Sequence, residues 1–411
     1  MKRTLLFLGI LATSQAMAAE IKLDAVTITG TREAQALSKT PQAISQISGE
    51  EIDATKAQHA SQIMNQAAGV WVNVTGGEGH MTAIRQPIST SPVYLYLEDG
   101  IPTRSTGFFN HNALYEVNLP QADGVEITKG PGTALYGSDA IGGVINVQTK
   151  EPSYEPSAQI SLEGGSYGWA RALISASGSN DNDGLRADLN LTRTDGWRDG
   201  TSYDRQSATL RWDRNLSQSR FKTVLTGTKV NQDTAGSSSL SLADYRHNPR
   251  NNLTPISYRK VSALRLSTAY DYEDGQRLYS VTPYLRDNSM EMIANWSLGY
   301  DPSIYKTSNQ SFGVLAKVRQ DFETLDSRII IGLDVDYSPG DREEDAIATT
   351  KDAQGRFVAY SIAGRSFDYD ATFKAVSPYI HSEFSPTNAL RVTAGLRFDY
   401  MAYDYSNNLS S

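Results

Sequence analysis

The chain has 411 residues, a net charge of −8, no cysteine, 22 tyrosines and 32 glycines. Without cysteine there are no disulfide staples and no thiolate metal sites, and the acidic balance argues against a nucleic-acid binder, which would carry a basic patch. Beyond the N-terminus no run approaches the roughly 20 apolar residues of a membrane helix, which leaves open a transmembrane barrel, whose alternating strands keep hydropathy low.

Residues 1–18, MKRTLLFLGILATSQAMA, place Lys2 and Arg3 before an apolar core at 5–12 and end on Ala16-Met17-Ala18. A positive n-region, a core too short to span a bilayer and a small-x-small site predict a signal peptide cleaved before Ala19 and export into a bacterial envelope. The remainder divides in two. Residues 19–150 mix helix and strand signals, whereas 157–403 read almost wholly as strands. Ser48-Gly49-Glu50-Glu51 is a capping box that predicts a short helix. A second helix runs from about residue 60 to 67 and stops at Gly69. "VYLYLEDGIP" (93–102) alternates and then turns at Asp99-Gly100, and 124–130 and 142–150 are two further strands, which makes a small α+β domain. Beyond residue 157 the segments have period 2. In "LRADLNLTR" (185–193), Leu185, Ala187, Leu189 and Leu191 share one face, while Arg186, Asp188, Asn190 and Thr192 share the other. "LRVTAGLRFDY" (390–400) repeats the theme. Any one segment also suits a soluble sandwich. About eleven in series behind a signal peptide suit lipid-out, lumen-in barrel staves. Connections at 178–184, 215–219, 273–275 and 324–327 are short, and those at 231–257, 288–308 and 338–373 are long, the asymmetry of an outer-membrane barrel.

"KGPGTALYGSDAIGGVINVQTK" (129–150) meets neither the G-x-x-x-x-G-K-[ST] nor the G-x-G-x-x-G pattern of phosphate and dinucleotide loops, and no long helix follows it. Its Gly130, Gly132, Gly137, Gly142 and Gly143, around Tyr136, instead suit tight turns and close backbone packing. The longer stretch "VEITKGPGTALYGSDAIGGVINVQTK" (125–150) resembles the plug signature of TonB-dependent outer-membrane receptors. "LYLEDGIP" (95–102), "TAIRQ" (82–86, with Gln86 where glycine is usual), "AAGVWVN" (67–73, with Ala68 where proline is usual) and "KTPQAISQISGEEI" (39–52) resemble other elements of that domain. The resemblance is close over 24–150 and loose over the strands. It implies an α+β plug domain (36–150) inside an antiparallel transmembrane β-barrel, of which 157–411 is the N-terminal part, in the bacterial outer membrane. It also implies an energy-coupling box near the mature N-terminus, in a flexible leader at 19–35. "DAVTITG" (24–30) matches that box at Asp24, Val26, Ile28 and Thr29 and departs from it at Ala25 and Gly30. An extended segment with alternating apolar residues can add a strand to a partner's sheet edge; the partner implied is TonB with its inner-membrane energising complex. The plainer reading is an ordinary first strand of the plug. Only residues 19–23 precede the box, which implies transport without the signalling branch some relatives carry.

Substrate contact in this family comes from plug apex loops and the inner wall. The apex candidates are 86–91 and 103–112, the second offering Arg104, Phe108, Phe109 and His111. A cation beside aromatic faces suits an anionic metal chelate; Phe108 and Phe109 packed under the loop is an equal alternative. Trp296, Tyr300 and Tyr305 could touch ligand or sit at the membrane interface, and the interface is preferred. "NDNDG" (180–184) fails as a calcium loop, since Ser179 and Asn190 stand where acids are needed, and "GDREEDA" (340–346) reads as a solvated charge run. No paired carboxylates or Ser/His/Asp set stand out, so the expectation is a non-enzyme without cofactor or metal. The leading function is TonB-dependent uptake of a scarce chelate, a ferric siderophore first, with cobalamin or haem as alternatives. Other readings are a passive porin, which would lack plug and box, and a truncated receptor fragment without transport. Half a barrel leaves costly unpaired edges in lipid, which points to a longer receptor.

Overall fold

The computed structural model describes residues 26–106 and 113–409. The signal-peptide reading, Asp24, Phe108, Phe109 and His111 lie outside the described residues. The leader forms a two-stranded ribbon, β1 (Val26–Thr27) against β2 (Gln35–Ala36). The next segment folds around a five-stranded sheet built from β3 (Ile44–Ser48), β6 (Tyr94–Glu98), β7 (Ile101–Pro102), β8 (Ala122–Lys129) and β9 (Gly143–Thr149), in the order β3-β8-β9-β6-β7. β6 and β9 run parallel; the other neighbours are antiparallel. A separate hairpin pairs β4 (Val70–Val72) with β5 (Thr82–Ile84). The capping box starts α1 (Gly49–Thr55): Ser48 Oγ accepts from Glu51 N at 3.2 Å and the Glu51 carboxylate from Ser48 N at 2.7 Å. α2 spans Ala60–Met64 and ends earlier than expected. Asn65 accepts from Val72 N at 2.6 Å and donates to Val72 O at 3.0 Å, which draws the chain out of the helix into β4. Ile47, Ile52, Ile63, Met64, Val125, Ile127, Ile145 and Val147 form one buried core beneath the sheet.

The period-2 segments pair in chain order as a single antiparallel sheet. Its strands are β10 (Ser157–Gly164), β11 (Ala170–Ser179), β12 (Asp183–Thr194), β13 (Tyr203–Asn215), β14 (Ser219–Gln232), β15 (Tyr258–Asp274), β16 (Arg277–Ile293), β17 (Ser303–Phe322), β18 (Ser327–Lys351), β19 (Phe357–Thr387), β20 (Leu390–Arg397) and β21 (Tyr400–Asn407). β20 and β21 pair with successive stretches of β19, at 379–387 and 369–376. They are two halves of one stave interrupted beside Pro378, which has no N–H to give the ladder, so the sheet has eleven staves, as the alternation suggests. The sheet is open, with β10 at one edge and β20–β21 at the other. Parity is as expected: on β13, Arg205, Ser207, Thr209, Arg211 and Asp213 are buried inward, while Leu210 and Trp212 are exposed outward. Trp212, Phe221, Tyr270, Tyr279 and Phe322 all face outward within a few residues of the short turns. Phe221 and Tyr270 lie 4.8 Å apart, and this is the aromatic belt of a membrane interface.

Two connections read as long loops are largely strand. β16 runs to Ile293 and β17 resumes at Ser303; β18 and β19 are joined by the turn at 352–356. Past the lipid both faces of a strand meet water, so the hydrophobic alternation disappears while backbone pairing continues. "GDREEDA" therefore lies within β18, its charges matched by Arg342–Glu344 at 2.5 Å and Asp345–Arg365 at 2.6 Å. The connection at 233–257 is a true long loop and contains the one-turn helix α4 (Leu242–His247).

Candidate functional site: leader, plug and wall

Alternation in the leader places Thr27 and Thr29 inside, fully buried, and Val26 and Ile28 outside, 55% and 45% exposed. The inner side is held by one carboxylate. Glu126 on β8, itself buried, accepts from Thr29 N at 2.7 Å, Ile28 N at 3.1 Å and Thr27 Oγ1 at 3.0 Å. Gln46 and Gln148 donate to its other oxygen at 3.3 and 3.1 Å. Hydrogen bonds to an ionised acceptor are the stronger kind, and here they hold a backbone that would otherwise be an unpaired edge. Val26, Ile28 and Thr29 are thus brought together at the short-turn end of the wall, with the apolar pair facing out.

The Gly-rich stretch builds the surface against which the leader rests. Gly132 precedes α3 (Thr133–Tyr136), and Gly137 ends it at φ +86°, a conformation that favours glycine. A Cβ on Gly143 would lie 2.6 Å from Thr128 O, so only glycine lets β9 reach β8 there, and Gly142 packs as tightly on the Tyr94 ring. Gly130 N donates to Gly142 O at 3.2 Å, closing the turn. Tyr136 reaches out of this stretch to donate to Thr29 O at 2.9 Å, and Asn146 of β9 donates to Thr29 Oγ1 at 3.1 Å. These contacts to the leader were not foreseeable from spacing.

Further along, the leader meets the wall. Arg32 pairs with Asp334 of β18 at 2.9 Å, donates to Leu135 O at 3.1 Å, and lies between the rings of Tyr136 and Tyr379, about 5 Å from each. Arg397 shares Asp334 at 2.6 Å, and Glu33 bridges Lys317 at 2.6 Å and Arg319 at 2.9 Å. Between leader, plug and wall lies a cavity of about 630 Å³, lined by charges of both signs that include Glu126, Asp123, Arg211, Lys222 and Asp271.

The plug is seated mainly by polar contacts. Wall arginines read its backbone carbonyls: Arg171 on Ala57 O at 2.6 Å, Arg211 on Thr149 O at 2.6 Å, Arg265 on Glu116 O at 3.0 Å and Arg286 on Pro102 O at 3.0 Å. Arg265 also grips Glu98 at 2.8 Å.

At the long-loop end, Arg104 is buried and paired with Glu116 at 2.8 Å, with Tyr115 Oη accepting at 3.0 Å. Gln86 donates to Tyr94 Oη at 2.6 Å below an exposed loop at 87–91. Trp296 and Tyr300 are exposed in the turn at 294–302. Tyr305 instead turns inward and packs with Tyr115, Met290 and Met292. Sequence reasoning missed the hairpin tip at 75–79, which packs against the wall at Gln232 and Gly236; Gly76-Gly77 between two short strands was its available signal. Among the described residues, no group of three or more His, Asp or Glu is placed to hold a metal ion.

Residues 36–144 match the family described as TonB-dependent Receptor Plug Domain. The chain is 33% identical to the vitamin B12 transporter BtuB of Vibrio vulnificus over 165 residues, 39% of this chain and 26% of that one. BtuB of Photobacterium profundum is 33% identical over 173 residues, 41% and 28% of the two chains. The fold superposes on the pyoverdine receptor FpvA of Pseudomonas aeruginosa with TM-score 0.78 at 17% identity, covering 93% of this chain and 60% of that one. For the unliganded ferric citrate transporter FecA the values are 0.75, 19%, 90% and 57%. The alignments thus span about a quarter of these curated relatives and somewhat over half of the solved receptors.

Proposed function

Because the chain belongs to the TonB-dependent outer-membrane receptors, we propose that it serves energised uptake of a scarce chelate, with residues 24–30 as the point at which TonB pulls. The observation that carries this reading is the docked leader: its backbone is held by Glu126, while Val26 and Ile28 face outward at the short-turn end. A partner that adds a strand there engages the apolar pair first, and the force it transmits draws Thr27–Thr29 off Glu126 and Arg32 off Asp334. Both grips are polar and exchangeable with water, which suits a contact that must break and re-form. A passive porin needs neither plug nor leader.

The substrate class is a chelate too large or too scarce for diffusion. Relatives named for vitamin B12 and folds named for ferric siderophores support cobalamin and ferric siderophore equally. Val26→Pro and Ile28→Pro variants of the receptor that carries this chain test the reading, because proline removes a backbone donor from the added strand. In a receptor-deficient strain, uptake of labelled ferric citrate or cyanocobalamin falls by roughly tenfold or more while surface binding is kept. Uptake equal to the unaltered receptor overturns the proposal.

A further inference from the structure

We infer that His59 and His80 form a proton-sensitive latch, closed while both rings are neutral, which ties α2 and the hairpin tip to the helical turn at Leu114–Glu116 and lets that corner of the plug loosen in acid. The inference goes beyond the uptake reading and does not depend on it. The chain has five histidines, and these two, from separate elements, meet with ring centres 6.2 Å apart. His59, partly buried, is the N-cap of α2. Its Nδ1 accepts from Ser61 N at 3.0 Å and from the Ser61 hydroxyl at 2.9 Å. His80 is fully buried. Its Nδ1 donates to Glu78 O at 3.0 Å, and its Nε2 accepts from Leu114 N at 3.3 Å. Each ring thus offers a lone pair to a backbone N–H, which only the neutral imidazole can do.

A proton on either ring turns an acceptor into a second donor that faces a donor. At His59 the cap of α2 is lost. At His80 the tie between the hairpin and the Leu114–Glu116 turn is lost. The surroundings give the added charge little compensation. Glu78 already pairs with Arg205 of β13 at 3.1 Å, and Tyr203 of the same strand lies close to it. Arg171 of β11 lines the same small space as His59 and is itself paired with Glu163 at 2.6 Å. Tyr115 meets the His80 ring edge-on at 5.7 Å, and two more cations stand behind that tyrosine, Arg104 at its hydroxyl and Arg259 at its ring. Burial, with Arg205 second, holds the His59 imidazole below its ordinary 6.5, against the opposing pull of Glu78 and of the backbone at 78–79. The open state therefore takes the proton first, so the latch is intact above pH 6.5 and weakens as pH falls below it. The loosened corner is one of the plug's seats: Gln232 of the wall accepts from Glu78 N, and Arg265 of the wall donates to Glu116 O.

The test uses the purified receptor that carries this chain, with His59→Asn and His80→Gln variants. Asparagine keeps a cap acceptor for Ser61 N, glutamine keeps an acceptor for Leu114 N, and neither titrates. Hydrogen exchange of the amides at 75–82 and 113–117 is followed by mass spectrometry at about pH 7.5 and about pH 5.5, within the range where histidine titrates. Rates are corrected for chemical exchange at each pH, and 144–147 of β9 serves as the internal control. In the unaltered receptor, opening of both segments is expected to rise roughly tenfold at the lower pH while the control stays unchanged, since each pH unit below the imidazole value is worth one decade. The rise should shrink to about threefold or less in at least one variant. No acid-induced opening in the unaltered receptor overturns the inference, and so does opening that sets in only below about pH 5, where carboxylates titrate. A rise that persists undiminished in both variants overturns it as well and makes the two rings ordinary packing. Leader-dependent uptake can hold or fail independently of each of these results.

Discussion

Glu126 is the residue on which the leader depends most. Its carboxylate accepts from two leader amides and a hydroxyl, so replacing the charge while keeping the shape should loosen the leader without unfolding the plug. Glu126→Gln is predicted to cost the docked state about 2 kcal/mol, the scale of hydrogen bonds to a charged group, and so to raise leader opening by roughly thirtyfold. A spin label at Ile28 measures this directly: the mobile fraction grows in the variant, and an unchanged spectrum contradicts the role given to Glu126. The parity of the leader was legible, because Val26 and Ile28 alternate with Thr27 and Thr29. The Glu126 contact was not, since its partners lie 97 to 99 residues away in the chain and no local pattern encodes them. Arg104, a candidate ligand contact on the apex loop, is paired with Glu116, and that pairing was equally invisible to local spacing.

At the scale of elements, local chemistry was read well where it acts alone. The capping box at Ser48 was legible because both of its halves lie within one turn. Ser48→Ala should cost α1 about 1 kcal/mol, read as faster hydrogen exchange of the amides at 50–52. Hydrogen bonds from the Ser48 backbone and side chain hold the Glu51 carboxyl below its usual range. A depressed carboxyl stabilises the fold above its unfolded value and loses that contribution as pH falls through its folded one. Protection of the first turn should therefore decline below pH 4.5 in the unaltered protein and depend less on pH in Ser48→Ala. The end of α2 was misjudged because Asn65 trades helix continuation for bonds to Val72 seven residues on. Gly143→Ala presses a methyl against Thr128 O, so the β8–β9 pair must separate. The plug of this variant should melt well below the unaltered plug by tryptophan fluorescence or differential scanning calorimetry, and equal midpoints would contradict the close approach.

For the whole molecule, the eleven staves and their inward parity followed from alternation alone. The reach of the strands beyond the lipid did not, because alternation fails where both faces are wet. Which wall arginine meets which plug carbonyl is likewise a product of the assembled fold. The consequence is a plug seated in the wall by polar contacts that water can replace, with its leader tied to β18 through Arg32 and Asp334. Such a seat permits movement under pull where an apolar core would resist it.

The chain has no cysteine, so Arg32→Cys with Asp334→Cys places a single pair across the grip between leader and wall. The most direct test is chelate uptake by the receptor with this pair joined by a short, reducible bis-thiol cross-linker. Release of the leader as the gating step predicts that uptake stops when the pair is joined and returns on reduction, while surface binding of the chelate is unchanged throughout. Uptake that continues with the pair joined would contradict it.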